Sequence, residues 1–270
     1  MIRLLHIEFK KILSYKTFWV LTAFYIIALA LALFLSQHIV TKIVEQAAKT
    51  SPIPLPRISI FVLPKAWQNL SYLAGYFNIF LAIVVITLIC NEFTFRTIRQ
   101  NIVSGMSRTQ YLLSKLYLIL VISIAATLLL FLITLILGVI HSHSLSAASV
   151  FNVKLQFVFG YFLETFSYLI FAFFLAFLLK RTGLTIITLL FYTSIEQIIV
   201  AWKIPSAWVK VMPMKAFARL VHFPSIPLPE VNGQSLKFQD YVGLSDALIT
   251  VLYAAVMVTI IYLYLKKADL

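Results

Sequence analysis

Residues 70–140 divide into LSYLAGYFNIFLAIVVITLIC (70–90), NEFTFRTIRQNIVSGMSRTQYLLSK (91–115) and LYLILVISIAATLLLFLITLILGVI (116–140). The outer two runs each supply the roughly 20 apolar residues that a helix needs to cross the hydrocarbon of a bilayer. The island between them carries one acid, three arginines, a glycine and a closing lysine. Two crossings joined through water account for this pattern, and the joining island is where such a chain would meet a soluble partner.

Working outward, the apolar pattern recurs at 17–35, 155–179, 184–201 and 246–265, so six windows qualify or nearly so. Over all 270 residues, 62% are hydrophobic, 11% are charged and mean hydropathy is +0.99, whereas soluble domains carry about a quarter charged residues. The expected fold is therefore all-α, a polytopic helical membrane protein with residues 1–270 forming a single transmembrane domain. Between the fourth and fifth windows stand only Lys180-Arg181-Thr182-Gly183, two bases for the headgroups and a glycine for the turn. The first run is longer than a signal-peptide core, and leucines and a phenylalanine follow its Ala28-Leu29-Ala30 triplet. It reads as an uncleaved first span.

The net charge of +13 does not imply nucleic acid, because the bases sit mainly between spans, where anionic headgroups hold them. Segments 1–16, 91–115, 180–183 and 266–270 hold 12 of the 22 bases in 50 residues. The positive-inside rule then places them, and both termini, in the cytoplasm. In 1–16, Ile2, Leu5, Phe9 and Ile12 share a helical stripe while Arg3, His6, Lys10 and Lys11 fall largely elsewhere, the pattern of an interfacial helix. Two long outer segments remain. The first, 37–69, is broken by Pro52, Pro54, Pro56 and Pro64. In the second, 202–245, Trp202, Trp208, Val211, Phe217 and Leu220 alternate with bases, which suits the outer leaflet, before the exposed loop PSIPLPEVNG.

Chemical motifs are scarce. The seven glycines make no phosphate-binding loop. The five histidines lack carboxylate or thiolate companions, even at His141-x-His143. No GxSxG elbow occurs, and the single Cys90 excludes an intrachain disulfide or a CxxC site. The expectation is a chain with no catalytic residues, metal or cofactor of its own. Two acids lie within apolar windows. Glu164 stands about nine residues, or roughly 13 Å, inside span four, and Glu196 about five residues from the end of span five. They are candidates to line a substrate route. The plainer reading bonds Glu164 to Thr165, Ser167 or Tyr168 and sends Glu196 to the headgroups.

Within the island, Glu92, Arg96 and Arg99 fall at i, i+4 and i+7, so they share a face and Glu92 can pair with Arg96. Phe95, Ile98 and Ile102 take another face. Gly105 is placed to stop the helix with positive φ, and Ser107 to cap the next. The expectation is a helix-break-helix elbow.

The pattern Glu92-Phe93…Thr97…Gly105-x-Ser107-Arg108…Lys115 between spans two and three resembles the permease subunits of ABC-2 type transporters. The stretch IEFKKILSYKTFW (7–19) looks like that family's amphipathic leading helix. The likeness covers the whole chain in layout and about forty residues in motif; where many members have glycine before the threonine, this chain has Arg96. The nearest subgroup is the lantibiotic-immunity and bacitracin-type permeases. The resemblance implies an exporter subunit of the bacterial inner membrane with Glu92, Arg96, Thr97, Arg99, Gly105, Ser107, Arg108 and Lys115 at the interface with two copies of a cytoplasmic ABC ATPase. That ATPase would bind ATP and Mg. A second permease chain, identical or related, would complete the route, with membrane lipids around it and no nucleic acid. Two other readings stand beside it. A proton-coupled secondary transporter would use Glu164 and Glu196, although the sequence displays neither the inverted repeats nor the broken helices common in that class. A non-transporting anchor or assembly factor is the third.

Overall fold

The computed structural model describes residues 12, 13, 15–50, 60–142, 153–202, 212–222 and 241–267. They form helices α1 (Lys16–Thr50), α2 (Ala66–Gly75), α3 (Asn78–Thr94), α4 (Thr97–Val103) and α5 (Arg108–His141). After the 3-10 turn Val153–Leu155 come α6 (Gln156–Leu179), α7 (Thr182–Ala201), α8 (Pro213–Ala218) and α9 (Leu244–Lys267). Five helices are long and apolar enough to cross a membrane, and up to six crossings result if the bent pair α2–α3 counts as one. The chain is a multi-pass, membrane-embedded helical protein, and there is no strand among the described residues.

Helix α6 is the hub. It packs against α2, α3, α5, α7, α8 and α9, while α1 lies mainly on α3. Half of its most apolar stretch is buried inside the protein, against 17% for α1 and α7, so those two present most of their surface outward. The reason is in its sequence. Gly160, Ala172 and Ala176 let neighbouring backbones approach, while Phe157, Tyr161, Phe173 and Phe177 fill the space between them. Without a hydrophobic drive between helices in lipid, such close packing is what holds spans together.

Several expected boundaries move. Helix α1 runs to Thr50 rather than ending near 35, so the first part of the 37–69 segment is helical. The second apolar window is not one helix over 70–90. It is α2 and α3, bent by 43°. At the junction Tyr76 N–H bonds to Leu73 O and Phe77 N–H to Ala74 O, tighter i to i−3 links that interrupt the regular ladder. The absence of broken helices expected from the sequence therefore does not hold.

In the 202–245 segment, Phe217 and Leu220 face the protein interior. They are buried in the main core, and Arg219 reaches Asp246 of α9 at 3.6 Å. Trp202 is exposed, whereas Trp208, Val211 and the 224–233 loop lie outside the described residues. So do residues 1–11, and with them nearly all of the expected interfacial helix.

Candidate functional site

A cavity of about 410 Å³ opens where α2 gives way to α3, walled by α6, α7 and the 212–222 segment. It brings together residues far apart in sequence: Tyr72 and Gly75 from α2, Asn78 from α3, Glu164 and Tyr168 from α6, Glu196 from α7. Gly75 is required by close approach. A Cβ there would stand 2.9 Å from Glu164 Oε1, so the missing side chain leaves room for the carboxylate against the break.

A polar network runs behind Asn78, its one member that lines the cavity. Asn78 Oδ1 accepts from the Tyr161 hydroxyl at 3.2 Å and from Thr165 Oγ1 at 3.1 Å, and the Tyr25 and Tyr161 hydroxyls share a 3.2 Å bond. This network ties α1, α3 and α6 together at the depth of the break. Asn78 Nδ2 is buried, with no partner among the described residues.

The two acids differ in their surroundings. Glu196 is 3% exposed; its Oε1 accepts from Met214 N at 3.3 Å and its Oε2 from Lys215 N at 3.1 Å. It thus caps the first turn of α8, satisfying amides that a helix start leaves free. Its carboxylate is enclosed rather than extended outward, because the 212–222 segment folds inward and offers it backbone donors. Glu164 bonds to none of Thr165, Ser167 or Tyr168, and among the described residues its carboxylate has no hydrogen-bond or ion-pair partner. It is partly exposed, and the space it faces is the cavity.

At the opposite end of the α3–α5 hairpin, the island rearranges the expected contacts. Glu92 does not pair with Arg96. Helix α3 stops at Thr94, Arg96 turns to φ 53, and its exposed side chain leaves the Glu92 face. Glu92 instead takes Lys115 Nζ on Oε1 at 2.6 Å and the Tyr111 hydroxyl on Oε2 at 2.7 Å, with Lys115 only 2% exposed. This buried clamp joins the end of α3 to the start of α5. The island contains two breaks rather than one: 95–96, then 104–107, where Gly105 takes φ 99 and Ser107 forms a reciprocal capping box with Gln110. Gly105 and Ser107 occupy the roles expected of them.

A protein family described as DUF2705, protein of unknown function, matches residues 57–270. The chain belongs to that family. No curated protein matches it. In this DUF2705 chain the eight island residues therefore fall into two groups. Glu92 and Lys115 are buried in the clamp, Thr97 Oγ1 donates to Glu92 O at 3.4 Å, and Arg108 donates to the carbonyls of Leu265 and Lys266, closing the end of α9. Arg96, Arg99, Gly105 and Ser107 are exposed, as are Phe95 and Val103. Sequence reading missed Asn78, Tyr161 and the α2–α3 break. An asparagine beside Gly75-Tyr76-Phe77 within an apolar window was the one available signal. Among the described residues no group of three His, Cys, Asp or Glu is placed to hold a metal ion.

Proposed function

We propose that this chain is the transmembrane permease subunit of an ATP-driven ABC-2 type exporter of the bacterial inner membrane. In this reading it has six spans, both termini are cytoplasmic, and two permease chains enclose the route above two ATPase subunits that bind ATP and Mg. The observation that carries it is the clamp. Glu92, Tyr111 and Lys115 lock the ends of α3 and α5 together, so helix α4, exposed on one face and seated on the core through Ile98, is a short lever fixed to two spans rather than a loose loop. ATP-driven closure of the ATPase pair would push that lever and tilt both spans, since a ligand shifts an equilibrium only through different contacts with its two states. The interface residues are then the exposed ones: Phe95, Arg96, Arg99 and Val103.

The test is copurification with the ATPase encoded in a neighbouring reading frame. Arg99→Ala and Val103→Asp should keep normal membrane levels, because exposed substitutions typically change stability by about half a kcal/mol or less. They should weaken ATPase capture or stimulation several-fold. Full capture by both variants would remove α4 from the interface. Reporter fusions check orientation independently. Fusions after Lys115 and Leu270 should be cytoplasmic and those near Pro54 and Asn232 external, and an external Lys115 would end the exporter reading.

The α2–α3 break beside Glu164 favours a second reading, a proton-coupled secondary transporter, because discontinuous helices and buried acids mark coupling sites in that class. Transport that stops when the proton gradient collapses while ATP stays plentiful would select it.

A further inference from the structure

We propose that the cavity at the α2–α3 break binds an amphiphilic organic cation, with the Glu164 carboxylate as its counter-charge and Asn78 Nδ2 as a second polar contact. The inference does not rest on the exporter reading, because binding needs no ATPase. Charge is the first argument. Among the described residues, the cavity holds two carboxylates and one lysine, Lys215. Glu196 has two backbone amides and lies beside Lys215, so its charge is already answered. Glu164 has no such partner among the described residues, and a carboxylate at such depth takes a counter-charge or a proton.

The second argument is independent. Asn78 is 2% exposed and lines the same cavity. Its Oδ1 is taken by Tyr161 and Thr165 while Nδ2 is buried with no partner among the described residues, so a small turn of the amide toward the cavity would let a ligand's hydroxyl or carbonyl satisfy it. A neutral apolar guest leaves both groups unanswered, and an anion repels Glu164. The walls suit a cation as well. Tyr72, Tyr76, Tyr168 and Phe217 offer aromatic surface, whose ring faces attract positive charge. A volume of about 410 Å³ lies within the range of small-ligand pockets.

The mouth argues for an amphiphile. Exposed Tyr76, Leu190, Ser194 and Gln197 border the cavity. It therefore opens sideways, between the α2–α3 break and α7, on a face where a hydrocarbon tail can stay in lipid while the charged head turns inward.

The experiment uses the purified full-length chain in nanodiscs of phosphatidylglycerol, which carries no amine, with tritiated tetraphenylphosphonium as probe. The parent should bind it saturably. Glu164→Gln should weaken binding about tenfold or more, the usual scale for losing one member of a buried charge pair, and Glu164→Asp should retain more than Gln. Gly75→Ala, whose methyl would displace the carboxylate without removing its charge, should also weaken it. Hexadecyltrimethylammonium should displace the probe and hexadecyl sulfate should not. N-hexadecylethanolamine should compete better than hexadecylamine if Asn78 takes the hydroxyl, and equal competition removes Asn78 from the proposal. An unchanged elution profile shows that each variant is folded. Absent saturable binding, full binding by Glu164→Gln, or equal displacement by the sulfate would overturn the site. Adding phosphatidylethanolamine to the discs identifies the natural source. Loss of probe means a lipid headgroup, an unchanged signal means a free amphiphile, and both keep the cation site.

Discussion

Lys115→Met is expected to destabilise the folded protein by about 3–5 kcal/mol, because it leaves the Glu92 carboxylate buried without its cation. The ammonium contacts Glu92 at 2.6 Å and also lies 5.2 Å from the centre of the Tyr111 ring, so no short side chain replaces both contacts. Glu92 itself is only 9% exposed. The measurement is the melting of fluorescently tagged protein, followed by size exclusion after heating in detergent. The double variant Glu92→Gln/Lys115→Met provides the control. It removes both charges, and replacing a buried pair by neutral groups of similar volume is often close to neutral, so it should recover most of the loss. A single variant that melts within about 1 kcal/mol of the parent would mean that the pair is hydrated and the clamp weak.

Gly160→Val should destabilise the molecule by a different route, toward the upper end of the roughly 1–3 kcal/mol typical of overpacking. A Cβ at 160 would stand 3.1 Å from the Leu220 carbonyl oxygen and 3.3 Å from Val242 Cγ2. The first neighbour is backbone, held by the bond from Leu220 N to Phe217 O, and it cannot rotate away as a side-chain tip can. The added methyls of valine should lift the 212–222 segment from α6, and with it the donors that Glu196 uses. Tryptic cleavage at Arg219 should accelerate together with the fall in melting temperature. A variant that melts like the parent and resists trypsin would show that the segment yields without cost. Gly160→Ala should fall between the two.

What could be read from the chain alone follows from local physics. The apolar window 116–140 lies within α5 and 155–179 matches α6 but for Leu155, because helix length and hydrocarbon thickness are matched and a helix satisfies its backbone groups within its own segment. Gly105 and Ser107 were legible for the same reason. A positive φ and a cap are demands of three or four consecutive residues, and the residue type answers them directly.

Pairings across space were not legible. Helical spacing placed Arg96 one turn from Glu92, but the backbone leaves the helix at Phe95, and a lysine 23 residues away takes the carboxylate. Nor does hydropathy register the α2–α3 break, since both flanks are largely apolar and the approach of a carboxyl from α6 to Gly75 exists only in the folded protein. The sequence by itself determined a membrane-embedded helical chain, the approximate position of each apolar helix and the caps that end the polar island. Only the tertiary structure decided that α6 is the hub, that Glu196 is satisfied while Glu164 is left facing a cavity, and that the island's acid is buried in a clamp. Hydrophobic length and capping are properties of contiguous residues, whereas the partner of a buried charge is set by whichever helix packs against it.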